Sequence, residues 1–260
     1  MNLAFIGAGN LAWHLAPELE NSGHSVKLIC GKSEKNLHAL AGRLYDPVIK
    51  EDLDFSTEPV QAVFIATPDN VIRDIVSEIV LPDECLLIHC SGTQPMSILE
   101  LSACPELGVF YPMQTFTRGY RMDLHEVPFF IEANSDDTRD TLVGMANGLS
   151  KEVYLLDSDK RKVLHLAATF ACNFTNHMLE VARELMEKEK MDFDLLWPIL
   201  KTTVQKAMQM GPEQAQTGPA LRRDYETMDA HLELLKEDPD LEDMYNLISK
   251  HIIKKYEEEQ

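Results

Sequence analysis

The chain has 260 residues and a formal net charge of −19, with 43 acidic side chains against 24 Lys and Arg. That excess of negative charge argues against nucleic acid and anionic membranes as partners, and no apolar run approaches the length of a membrane span. Cys30, Cys85, Cys90, Cys104 and Cys172 are odd in number and lack CxxC spacing, so reduced thiols in a cytoplasm are expected, with neither a disulfide framework nor a metal site.

The fold is expected to start almost at the first residue, so no signal peptide is expected. Leu3 to Ile6 reads as a strand. It breaks on Gly7-Ala8-Gly9 and resumes through Asn10, Leu11, Ala12, Trp13, Leu15, Ala16 and Leu19 at helical spacing. Strand, glycine turn and helix form the opening unit of a dinucleotide-binding fold. Gly7 permits the turn, Gly9 lets backbone approach a diphosphate, and the small Ala12 lets the helix lie against the strand. The positive helix tip favours an anion. Gly7, Ala8, Gly9, Asn10 and Leu11 are therefore candidate cofactor contacts.

A second strand is expected over residues 25–30. NAD-binding units place an acid near its end to hold the ribose 2′-hydroxyl. Here Gly31-Lys32-Ser33 stands in its place, followed by Glu34-Lys35. A lysine and a hydroxyl suit a 2′-phosphate, so NADP is favoured over NAD; the alternative makes Ser33 a plain helix cap. Residues 37–44 read as helix and Val48-Ile49 as a short strand. Residues 60–66 form a nearly continuous apolar run, as in a strand buried on both faces. Ala66, Thr67 and Pro68 should lie beside the first glycine turn, with Asp69 or Asn70 capping a helix over 71–80. Strands over 85–89 and 108–111 leave His89, Ser91, Gly92, Gln114 and Thr115 at the same carboxyl edge, where each polar group either meets a ligand or satisfies loop backbone.

Residues 127–132 read as strand, 136–148 as helix and 153–156 as a last strand. Beyond residue 157 everything has helical period: about 162–190, 193–210, 224–237 and 241–256. Pro198 sits early in its helix or kinks it. On the long helix His165, Thr169, Asn173 and His177 recur every four residues and place polar groups on one face. They either pair between helices or face the nicotinamide across a cleft. Thr217-Gly218-Pro219 then fixes a turn ahead of Arg222-Arg223-Asp224. This reads either as a capped helix with surface arginines or as an anion clamp.

The opening residues 5–12 resemble the pyrroline-5-carboxylate reductase and 6-phosphogluconate dehydrogenase-like superfamily. His89-Cys90-Ser91-Gly92, the run Tyr111 to Phe116, and Thr217-Gly218-Pro219 with Arg223-Asp224 look like the family that joins a Rossmann-like domain to a DUF2520 domain. The resemblance covers nearly the whole chain. It implies α/β plus all-α architecture, with a Rossmann NADP-binding domain over 1–156 and a helical domain for substrate and dimerisation over 157–260. It also implies an active cleft between them. Relatives that reduce hydroxy acids pair a lysine with an asparagine on the long helix. This chain has His165 and Asn173 on that kind of helix and no lysine among them. A histidine titrates near neutrality and can supply the proton.

The expected activity is NADP(H)-dependent hydride transfer to or from a small, possibly anionic, carbonyl or imine compound. His165 is the expected acid/base, Asn173 the orienting donor and Arg223 the anion anchor, with Ser91, Gly92 and Gln114 near the nicotinamide. The alternatives are a homodimeric NADP sensor without turnover and hydride exchange between NADP and a deazaflavin.

Overall fold

The computed structural model describes residues 1–257. They divide into two compact units, Met1–Met178 and the described residues from Leu179 onward. The last strand ends at Leu155, close to the change of sequence pattern at residue 157. The first unit nevertheless continues to Met178, through one more helix and into the next, and the start of that helix is bonded to the sheet by a buried arginine, Arg161.

The first unit is an eight-stranded sheet in the order β3-β2-β1-β4-β5-β6-β7-β8. The strands are β1 (Asn2–Ile6), β2 (Ser25–Cys30), β3 (Val48–Lys50), β4 (Ala62–Ile65), β5 (Leu86–His89), β6 (Glu106–Pro112), β7 (Phe129–Ala133) and β8 (Val153–Leu155). All neighbours are parallel except β6 and β7, where Phe110 faces Ile131 in antiparallel register. The chain leaves β1 toward β2 and leaves β4 toward β5, in opposite directions, which opens a ligand crevice at their shared carboxyl edge.

Alternation along the strands fills both faces. Leu3 and Phe5 of β1 join one apolar layer with Leu15 and Leu19 of α1 (Asn10–Asn21). Ala4 and Ile6 join the other, with Ile72 and Val76 of α3 (Ile72–Glu78). Helix α2 (Glu34–Ala41) begins at Ser33, whose hydroxyl accepts the Asn36 amide at 3.4 Å. Helix α4 (Asp136–Asn147) sets Leu142 where Gly108 of β6 has no side chain. The cap expected at Asp69 or Asn70 is not formed. A short 3₁₀ turn, Asp69–Val71, precedes α3, and the Asp69 carboxylate instead accepts the hydroxyl of Thr93.

The long helix expected over 162–190 is α5 (Ser158–Ala168) and α6 (Thr175–Lys188), joined without a break by a π-turn, Thr169–Phe174. In a regular α-helix, steps of four residues drift by about 40° each. The wider π-turn rotates the other way at the middle step and cancels part of that drift. The row His165, Thr169, Asn173, His177 thus stays closer to one line than an ideal helix allows.

In the second unit, α7 (Trp197–Met210) carries Pro198 in its first turn, where a missing N–H costs nothing. Gly211 and Gly218, with φ of 85° and 110°, turn the chain into the short helices α8 (Pro212–Ala215) and α9 (Pro219–Arg222). Arg223 is left-handed at φ 55°, and the Asp224 carboxylate accepts the Thr227 amide at 3.2 Å to cap α10 (Tyr225–Leu235). Helix α11 (Pro239–Glu257) follows, and its Tyr256 donates to the Glu213 carbonyl at 3.0 Å. Among the described residues, no helix is long and apolar enough to cross a membrane, and no cluster of His, Cys, Asp or Glu is arranged to hold a metal.

Candidate active site

The crevice is built from the ends of β1 and β4. Gly7 has φ 105°, and a Cβ there would lie 2.5 Å from the Ala66 carbonyl oxygen, so only glycine lets the two strand ends touch. Its amide donates to the Cys30 carbonyl at 2.8 Å. Gly9 is exposed and begins α1 without any side-chain cap, and no acid sits in the first turn. By contrast α2, α4, α5 and α10 are capped by Ser33, Ser135, Asp157 and Asp224. Beside the open tip, the Thr67 hydroxyl is buried without a hydrogen-bond partner. Uncapped amides and an orphan hydroxyl at a switch point suit a dinucleotide phosphate.

The ends of β5 and β6 carry a second group. The Tyr111 hydroxyl meets His165 Nδ1 at 3.1 Å, and both rings rest on Gly92, where a Cβ would fall 2.5 Å from that nitrogen and 2.9 Å from Tyr111 Cζ. Burial raises the pKa of the phenol, with the Arg161 charge opposing and the Asp69 charge adding. The phenol therefore keeps its proton at neutral pH and can donate it to Nδ1. That assignment puts the imidazole proton on Nε2.

The loop beneath is fixed from within. Ser91 Oγ accepts the amides of Thr93 and Gln94 at 3.0 and 2.9 Å. His89 is fully buried, and its Nδ1 accepts the Ser91 amide at 3.1 Å. Burial, reinforced by the Arg161 charge, lowers the His89 pKa from 6.5 to about 3. The unfolded chain thus takes up this proton near pH 6.5 and the native chain only near 3. The contribution of His89 is intact above pH 6.5 and declines as the pH falls toward 3, by about 1.4 kcal/mol per pH unit. His89→Asn, which keeps an acceptor for Ser91, should lose correspondingly less stability than the parent between pH 7 and pH 5 in urea titrations. Equal slopes for the two proteins would refute a buried neutral imidazole.

Two descriptions of known families match the sequence: "NADP oxidoreductase coenzyme F420-dependent" over residues 2–92, and the domain of unknown function DUF2520 over residues 127–252. No curated protein matches. A crystal structure from Bacteroides fragilis, assigned as an NADP oxidoreductase, shares 38% identity over 97% of this chain and 98% of its own, with a TM-score of 0.91. The chain belongs to this NADP oxidoreductase family. Two more distant structures show the fold alone. Reductive aminase from Aspergillus terreus, in complex with NADPH and ethyl-5-oxohexanoate, is 14% identical over 96% of this chain and 94% of its own, at a TM-score of 0.70. The 1-pyrroline-5-carboxylate reductase of Streptococcus pyogenes is 14% identical over 98% of each chain, at 0.60.

In this NADP oxidoreductase, the turn over residues 7–11 and the stretch 66–68 meet where Gly7 touches Ala66 and Thr67, and Gly31 lies beside them, with a Cβ there placed 3.6 Å from Gly7 Cα; Lys32 and Ser33 follow Gly31 and are exposed. Ser91 and Gly92 lie under the His165–Tyr111 pair, with Ser91 given over to loop backbone. Gln114 is exposed and folds its side chain onto the Thr115 amide at 2.8 Å. Asn173 is exposed and stands eight residues beyond His165, about 12 Å along a helix axis. Arg223, in the second unit, pairs with Glu257 at 3.4 Å, and Arg222 with Asp224 at 3.7 Å. Sequence reading overlooked Tyr111, although Pro112 directly after it marked the strand end. It also overlooked Arg161, whose guanidinium binds Glu132 and the Gln94 carbonyl inside the loop.

Proposed function

We propose that this NADP-dependent oxidoreductase reduces a small carbonyl or imine compound at the His165–Tyr111 pair. The single observation that carries the reading is the 3.1 Å contact between Tyr111 Oη and His165 Nδ1 over Gly92, at the carboxyl edge that also bears the glycine turn. NADPH, when bound, supplies a hydride. The uncapped tip of α1 and the Thr67 hydroxyl would hold its diphosphate, and Lys32 with Ser33 would meet the 2′-phosphate.

The proton that completes the alcohol or amine is then the protein's to provide. Nε2–H of His165 is the donor, and as its proton passes to the substrate the Tyr111 hydroxyl proton passes to Nδ1, so the imidazole stays neutral and solvent later restores the phenol. Asn173 is the proposed orienting donor farther along the helix. Arg223 is the proposed anion anchor, since a half-exposed ion pair such as Arg223–Glu257 is worth little and is easily exchanged for a substrate anion. A homodimer is part of the proposal: Val163, Leu166 and Phe170 in the first unit, and Val204 and Met208 in the second, stand exposed to water in the single chain.

The test is NADPH consumption against a panel of keto acids, aldehydes and cyclic imines, with sedimentation velocity on the same preparation. Turnover of at least one panel class by a dimer is the expected result; an inert panel, or a monomer at micromolar concentration, would contradict the corresponding part. Hydride exchange with a deazaflavin is a second reading, favoured by the family description that matches residues 2–92. A panel arm with coenzyme F420 decides it.

A further inference from the structure

The segment after β6 is bonded back across the sheet to the glycine turn. Asn10 Nδ2 donates to the Phe116 carbonyl at 3.0 Å, and a ring nitrogen of His14 lies 3.0 Å from the Thr117 carbonyl. Arg118 follows. One of its terminal nitrogens donates to the Ala8 carbonyl and the other to Asn36 Oδ1 at 2.8 Å, and its guanidinium carbon stands 5.0 Å from the centre of the Trp13 ring.

This placement is electrostatically incomplete. The guanidinium is half-buried, and both of its acceptors are neutral. Among the described residues no carboxylate comes within ion-pair distance of it, in a chain where acids outnumber Lys and Arg 43 to 24. A partly desolvated fork without a counter-charge is matched to an oxyanion. Its two contacts say which one. Ala8 lies in the diphosphate turn, and Asn36 is the α2 residue whose amide is held by the Ser33 cap. The guanidinium therefore bridges from the diphosphate turn to the turn at the end of β2, where a dinucleotide presents its adenosine ribose.

We infer that Arg118, delivered by the segment after β6, is a ligand of the NADP 2′-phosphate, opposite Lys32 and Ser33, and that it sets the preference for NADP over NAD. This rests on the NADP site described above. The neutral contacts to Ala8 and Asn36 hold the fork in place beforehand, and the Trp13 ring supports its charge from 5.0 Å.

Binding of NADPH and NADH to Arg118→Gln and Arg118→Lys, measured by calorimetry without substrate, tests the inference. Arg118→Gln should weaken NADPH by about 10–100-fold, the loss of one or two charge-assisted hydrogen bonds. NADH affinity should stay within about threefold, which also reports that the crevice is intact. Arg118→Lys, which keeps the charge, should recover part of the loss. Unchanged NADPH affinity would overturn the inference. Equal losses for both cofactors in both variants would overturn it too, because they would place Arg118 at the diphosphate or in the fold. Parent protein that binds neither cofactor would instead sink the dinucleotide reading itself.

Discussion

His165→Gln is expected to lower kcat for any reducible substrate by about 10²–10⁴-fold, the usual share of a positioned proton donor, while NADPH affinity stays unchanged. The imidazole sits on the sheet's ligand edge, with one nitrogen held by Tyr111 and the backbone of Gly92 beneath it. The amide of glutamine keeps a donor at similar reach but cannot give up its proton. Tyr111→Phe leaves the imidazole in place and removes only the hydrogen bond that fixes its tautomer. A loss of about tenfold in kcat with KM unchanged is expected for it, because a fraction of the imidazoles would then carry the proton on the wrong nitrogen. A loss of under tenfold for His165→Gln would take the acid/base role away from that residue. A rise in KM alone for Tyr111→Phe would make the phenol a substrate contact instead.

Arg161→Ala should cost about 3–5 kcal/mol of stability in the first unit. The side chain is wholly buried, and that of Glu132, its partner, is 17% exposed. Arg161 also reaches the Gln94 carbonyl at 2.6 Å, and Ser158 Oγ lies 2.8 Å from Glu132 and accepts the Met96 amide at 2.9 Å. Truncating the arginine leaves the Glu132 carboxylate without its counter-charge, held by the Ser158 hydroxyl, and takes the Arg161 donor from the Gln94 carbonyl. Removing both charges in Arg161→Met with Glu132→Leu should recover most of the loss, because the desolvation cost disappears with the ions. Urea unfolding followed through Trp13, in a Trp197→Phe background so that the first unit alone is seen, measures both variants. If the double variant is no better than the single one, the network holds the fold by shape and not by charge. Arg161 precedes His165 by one helical turn, so the single variant should also depress kcat by misplacing the imidazole.

The glycine turn was legible because its chemistry is local: three small residues between an apolar run and a helical period admit few backbones. Strand positions followed to within a few residues, since a sheet covered on both faces demands unbroken apolar runs such as Ala62–Ile65. What stayed hidden depended on distance along the chain. Tyr111 and His165 are 54 residues apart, and Arg118 and Ala8 are 110 apart, so neither pair has a sequence spacing to betray it. Arg161 lies in a charged stretch, Ser158–Lys162, that reads as a solvated helix start. Asp69 was expected to cap α3 because acids do so before helices, but a competing hydroxyl, Thr93, claims its carboxylate. The π-turn leaves no mark in composition. DUF2520 motifs pointed to the family, while the roles of individual residues came only from their neighbours in space.

One reversal of strand direction, between β6 and β7, decides where the imidazole arrives. In a wholly parallel sheet, each helix starts above the ligand-bearing rim and descends. Because β7 and β8 run the other way, α5 departs from the opposite rim beside Glu132 and climbs, passing Arg161 midway and reaching Tyr111 with His165. The ascent is about two helical turns. A single residue inserted between Ser158 and His165 would swing the ring by about 100° and lift it clear of Gly92, so the length of that climb is as much a part of the chemistry as the histidine itself.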